Sequence, residues 1–161
     1  MDRDGDGGGH SNRDRHKRRD PDERRYFLAF GAEVWRSPNA QRQANGCATP
    51  LVYNQKLWNA AQRFAYLASN AYLSHTGKDG STMVSRVEAE EHTWTALAEN
   101  VAAGYGTPHF RRHGLDGERR PPAPISSTAT TEVGVGYYYI FPDPNPTTNH
   151  RFYWVVDFGR P

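Results

Sequence analysis

From position 57 onward, apolar side chains recur at Leu57, Ala60, Ala61, Phe64, Ala65, Ala68, Ala71 and Tyr72, while Lys56, Asn59, Arg63 and Asn70 fall on the opposite side. Steps of three and four predict an amphipathic helix over 57–72, and its alanines let it lie close against a sheet. The stretch Ser74-His75-Thr76-Gly77-Lys78-Asp79-Gly80-Ser81-Thr82 breaks the period with two glycines and an Asp-Gly pair. It predicts a turn, after which Ser81 or Thr82 caps a helix reaching to about 91. The small residues of 96–103 read as a further helical run, stopped by Gly104 and Gly106. Val133-Gly134-Val135-Gly136-Tyr137-Tyr138-Tyr139-Ile140-Phe141 is aromatic and β-branched and predicts a strand. Pro142, Pro144 and Pro146 end it, and 151–158 returns as a second strand. Helices ahead of a terminal hairpin predict a mixed α+β sandwich.

Composition changes this picture mainly at the N-terminus. Residues 1–25 hold almost no apolar side chain, so nothing offsets the entropy of ordering them, and they are expected to be disordered. Residues 26–38 form a lead-in of uncertain character, and the folded domain is expected over 39–161. Asp2, Asp4 and Asp6 lack the closing glutamate and flanking helices of a calcium loop. The basic cluster Arg13, Arg15, Lys17, Arg18 and Arg19 is interrupted by Asp14 and followed by Asp20 and Asp22, which favours a solvated tail over a phosphate-binding one. With 20 Lys+Arg against 18 Asp+Glu, the net charge of +2 excludes a strongly basic nucleic-acid binder on charge grounds. A length of 161 residues suits one domain. The single cysteine, Cys47, excludes an internal disulfide framework and a cysteine-built zinc site. No apolar run is long enough to cross a bilayer, and Tyr26-Phe27-Leu28-Ala29-Phe30 is too short for a signal-peptide core, so no export signal is visible.

Three groups of residues carry the functional expectation. The first is Asn39-Ala40-Gln41-Arg42 with Gly46-Cys47, Pro50-Leu51, Asn54, Leu57 and Ala61-Gln62. The second is Ser74-His75-Thr76-Gly77 with Asp79-Gly80-Ser81, Arg86 and Ala98-Glu99-Asn100-Val101-Ala102. The third is Glu132-Val133-Gly134-Val135-Gly136-Tyr137, closing with Tyr153-Trp154 and Phe158-Gly159. In this order and spacing the chain resembles the CAP superfamily: cysteine-rich secretory proteins, antigen-five allergens and pathogenesis-related plant proteins. The likeness is greatest to the disulfide-poor bacterial branch.

The resemblance implies a three-layer α/β/α sandwich with one shallow cleft, built in the family from two histidines and two acidic residues that often hold a divalent cation. It assigns His75 to the first cleft histidine and Glu99 to the first cleft acid. An imidazole and a carboxylate from separate elements make half a shell for zinc or calcium, which two ligands would hold weakly. No other cofactor is expected. Without the resemblance, His75 reads as a turn residue and Glu99 as a surface charge on a helix. Asn100 is expected to hydrogen-bond backbone, Gly134 and Gly136 to permit close approach, and the tyrosines to pack. Lipid, sterol or cell-wall ligands, an extracellular location and no established reaction follow from the resemblance alone, and a monomer is expected. A hydrolase would use His75 as general base with Glu99 orienting it. Ser74 makes a poor nucleophile beside it, and no Gly-x-Ser-x-Gly elbow occurs, so no catalytic residue is assigned. A nucleic-acid contact through the arginines remains the third and least favoured reading.

The pattern breaks at 109–130. The family would place a helix and a Gly-His-Arg segment with the second cleft histidine there, whereas this chain has a basic, proline-rich stretch. His113 falls in the right region without the matching neighbours, and no ligand role is transferred to it. Read one nucleotide later, plausible codons from Leu115 through Pro122 give Trp-Met-Ala-Ser-Ala-Gly-His-Arg. A shift of reading frame is therefore preferred to a divergent surface loop. Glu132 opens a strand and could face either side of the sheet, which makes it an unreliable third donor.

Overall fold

The computed structural model describes residues 38–69, 74–104, 112–113, 119–120, 128–144 and 150–161. Expectations for 1–37, including the tail, and for most of 105–127 lie outside the described residues. Helix α1 (38–44) leads to β1 (Val52–Tyr53), α2 (Gln55–Ser69), α3 (Met83–Ala89) and β2 (Ala96–Ala103). Two short strands, β3 (Arg112–His113) and β4 (Arg119–Arg120), pair antiparallel with each other. The chain then forms β5 (Glu132–Tyr139) and β6 (Phe152–Arg160), giving a four-stranded sheet in the order β1-β5-β6-β2. Strand β1 runs parallel to β5, while β6 is antiparallel to both β5 and β2. This is the mixed α+β arrangement expected.

Helix α2 starts where Asn54 caps it, its Oδ1 accepting from the N–H groups of Lys56 at 2.9 Å and Leu57 at 3.3 Å. The predicted stripe is the buried one: Leu57, Ala60, Ala61, Phe64, Ala65 and Ala68 all face inward. The helix lies so close to β5 that a Cβ at Gly134 would come within 2.6 Å of the Leu57 carbonyl oxygen, and one at Gly136 would fall on the main chain of Ala61 and Gln62. The Gln62 amide also bridges Tyr137, donating to its carbonyl at 2.7 Å and accepting from its N–H at 3.1 Å. That contact satisfies β5 at the edge where β1 has already ended. Fully buried Arg42 fastens α1, donating to the carbonyls of Thr49 at 2.9 Å and Thr130 at 3.4 Å.

Helix α3 is capped as expected, with Thr82 and Ser85 each bonding the other's N–H. It ends at Ala89, and Glu91 turns through a positive φ of 56°.

The expectation of a helix over 96–103 is corrected, because this stretch is strand β2, paired along its whole length with β6. Alanine-rich composition favours helix locally, but alternation decides here. Leu97 and Val101 pack with the residues of α2, while Ala98 and Ala102 join Trp154, Val156 and Phe158 on the other face. A strand thus buries both sets where a helix would bury one.

Candidate functional site

The register of the sheet places Glu99 of β2 directly beside Asp157 of β6. Both project to the α2–α3 side, where the capped turn of α3 delivers Arg86. The turn 74–82 closes on itself through Asp79, whose Oδ1 accepts from the Ser81 N–H at 3.0 Å, and through Gly77 donating to the Ser81 carbonyl at 2.8 Å. The same contacts to Ser81 hold the exposed Asp79 carboxyl below its usual pKa. This turn carries His75 to the rim.

His75 Nδ1 lies 2.8 Å from Glu99 Oε1. The imidazole is 69% exposed and the carboxylate 2% exposed, so one end of the pair faces solvent and the other is interior. Glu99 Oε2 accepts from Arg86 at 2.5 Å, and Arg86 is equally buried. The guanidinium also donates to the carbonyls of Ser81 at 3.0 Å and His75 at 3.4 Å, and it stacks over the Phe64 ring at 3.5 Å. Arg86 therefore holds the His75 turn, the acid and the core helix together.

Behind Glu99, Asp157 is fully buried, and neither of its oxygens meets an N–H or O–H donor. Burial pushes its carboxyl well above the usual carboxylate range; the Glu99 charge adds to this and Arg86 opposes it. As the acid, Asp157 can donate its own proton to Glu99, which gives one of its two oxygens a partner. With both Glu99 oxygens engaged, His75 holds its Nδ1 proton toward the carboxylate and turns Nε2 outward, the arrangement by which a carboxylate orients a ligating or proton-accepting imidazole. The open pocket beside it, about 270 Å³, is lined by His75, Thr76, Thr82, Met83, Val84 and Glu99.

The structure thus brings together His75 and Glu99, and Glu99 is an interior strand residue, not a helix-surface charge. Glu132 turns to another partner: its Oε2 lies 2.8 Å from Nε2 of buried His92. The pair fastens the loop after α3 to the start of β5 and leaves Glu132 no place in the cleft. Asn100 does not bond backbone through its amide nitrogen, which is buried without a partner. His113 sits in β3. Ser74 Oγ accepts from the Thr76 N–H at 3.1 Å, a turn contact and not a nucleophile's. Among the described residues, no cluster of three or more His, Cys, Asp or Glu is arranged around a metal position. Sequence reasoning missed Arg86 and Asp157 as site residues. The second left a trace, a lone acid inside the apolar run Trp154-Val155-Val156-Asp157-Phe158.

A family model described as the cysteine-rich secretory protein family (CAP) matches residues 22–158. Among solved structures, an outer surface protein from Borrelia burgdorferi superposes with a TM-score of 0.62 at 17% identity, covering 83% of this chain and 94% of that one. An extracellular protein containing a SCP domain, from Bacillus anthracis, superposes with a TM-score of 0.61 at 16% identity. That match covers 89% of this chain but only 45% of the Bacillus protein. At such identities the likeness is one of fold. No curated protein sequence matches the chain significantly.

Proposed function

Because the chain belongs to the cysteine-rich secretory protein (CAP) family, we propose that it is a binding or interaction module of the extracellular type, whose cleft holds a divalent cation weakly. The observation that carries this reading is the His75–Glu99 pair, 2.8 Å apart, with the imidazole open to solvent and the carboxylate locked from behind. His75 Nε2 is the accessible donor. Glu99 orients it and adds an oxygen if Oε1 releases Nδ1. Fewer than three protein ligands leave water to complete the shell, which fits an exchangeable zinc or calcium ion and not a structural one. A bound cation would supply a positive contact for an anionic or carbonyl group of a ligand. The outer-surface and extracellular neighbours agree with an extracellular role. No helix among the described residues is long and apolar enough to cross a membrane.

Zinc titration by calorimetry tests the reading. Binding in the range of tens of micromolar or weaker is expected, lost in His75→Ala and weakened about tenfold in Glu99→Gln. Zinc affinity unchanged in His75→Ala sinks the cation site. The same dyad would suit a general base, so ester and peptide turnover is measured alongside. Hydrolysis that disappears in His75→Ala would replace the binding module with an enzyme.

A further inference from the structure

Strand β2 is one outer edge of the sheet. In an antiparallel ladder, alternate residues direct both N–H and C=O to the neighbouring strand and the intervening ones direct theirs away. The Gly104 N–H donates to the Phe152 carbonyl at 2.9 Å. With the pairings Ala102↔Trp154, Asn100↔Val156 and Ala98↔Phe158, this commits the even-numbered residues of β2 to β6. Leu97, Glu99, Val101 and Ala103 therefore point their main-chain groups away from β6, where no backbone partner meets them among the described residues; Ala103 is buried, which leaves the first three open to a partner. Glu99 shows the opening directly: the residue is half-buried although its side chain is only 2% exposed, so what solvent reaches is its main chain.

Edges left open in this way are ordinarily guarded by lysine, proline or a bulge. The far edge is guarded by the Gln62 amide on Tyr137. Strand β2, Ala-Leu-Ala-Glu-Asn-Val-Ala-Ala, has no lysine or proline, and its one charge is turned inward and neutralised by Arg86 and His75. The pocket lined by Thr76, Thr82, Met83 and Val84 opens beside the middle of that edge, at Glu99.

We propose that β2 receives an extended peptide segment of a partner protein as an added strand, and that the side chain opposite Glu99 enters this pocket. Main-chain bonds to Leu97, Glu99 and Val101 supply affinity, and the pocket supplies selection. Methyl and thioether groups on its wall select an aliphatic side chain. A second copy pairing through its own β2 would bring its own 74–82 turn against this one, so a slender peptide fits the seam better. The proposal rests on the reading of the cleft as a binding site, but it does not require a cation.

The test uses fluorescein-labelled, capped seven-residue peptides of alternating threonine and valine, the central residue varied through Ala, Val, Leu, Phe and Glu. Binding to the full chain is followed by anisotropy and by amide exchange in NMR. In the free protein, the amides of Leu97, Glu99 and Val101 are expected to exchange about 100-fold faster than those of Ala98, Asn100 and Ala102. Bound peptide slows these three at least about tenfold. N-methylating the peptide amides that face β2 weakens binding about tenfold or more, whereas methylating the alternate amides changes it less than about twofold. Thr76→Trp, which fills the pocket from an exposed position, weakens binding without moving the melting temperature. Peptides with central Val or Leu bind best and Glu worst. No saturable binding by any of the set, or indifference to which amides are methylated, overturns the proposal. Protection of these three amides that grows with protein concentration alone means self-pairing and overturns it too. Zinc calorimetry on the same samples separates the two ideas: peptide binding without zinc binding removes the cation only, and the reverse removes the added strand only.

Discussion

With its side chain almost wholly out of water, Arg86 faces Glu99 directly and lowers the cost of the acid behind it. A buried pair of this kind contributes little net stability relative to a hydrophobic replacement, but breaking it by removing one partner leaves an uncompensated charge. Arg86→Ala is therefore expected to destabilise the fold by about 3–5 kcal/mol in urea titration, and to free the His75 turn, whose carbonyl it holds. Arg86→Lys should recover only part of the loss, since an ammonium cannot reach Glu99, Ser81 and His75 in one plane. His75 and Glu99 were legible in the sequence because each sits in a short motif. Arg86 stood in the same motif without a visible role, since that role depends on a helix cap aiming it at a strand. Asp157 was not legible as a partner, because only the β2–β6 register sets it beside Glu99.

At the scale of elements, the strongest periodicity produced the most faithful reading: the stripe of α2 is the buried stripe. Residues 96–103 show the limit. Alanines satisfy a helix locally, while the strand depends on pairing with β6, distant in sequence, which no local pattern announces. The two glycines of β5 were legible as close-approach positions, and the reason is now specific, since α2 lies on them. Gly136→Ala is expected to cost about 2 kcal/mol or more, because main chain and not a flexible side chain occupies the space. Thermal melts followed by circular dichroism check it. A variant as stable as the parent would mean that α2 can lift off the sheet without loss.

For the molecule as a whole, the buried acid shapes the response to pH. Asp157 holds its proton in the native state well above its ordinary pKa of 3.8, whereas the unfolded chain releases it near that value. Above about pH 4 the native state therefore binds more protons than the unfolded one, and stability falls as pH rises through the native pKa. Asp157→Asn keeps the shape and a donor toward Glu99 but does not titrate. Its melting temperature relative to the parent is expected to rise as pH increases above about 4 and to level off once the native carboxyl ionises. A difference independent of pH would show that the carboxyl is ionised throughout.

The sheet order also dictates when the molecule can come into being. Strand β6, spanning 152–160, is central, with β5 on one side and β2 on the other. Until it is synthesised, β2 has no neighbour and β5 has only the two residues of β1. The helices made earlier have no finished surface on which to settle. A chain ending at residue 151 is expected to show no cooperative melting transition and to be cleaved rapidly by protease. Folding of this domain therefore waits on β6, its most C-terminal strand, and the elements before it stay without a finished sheet until that strand has been made.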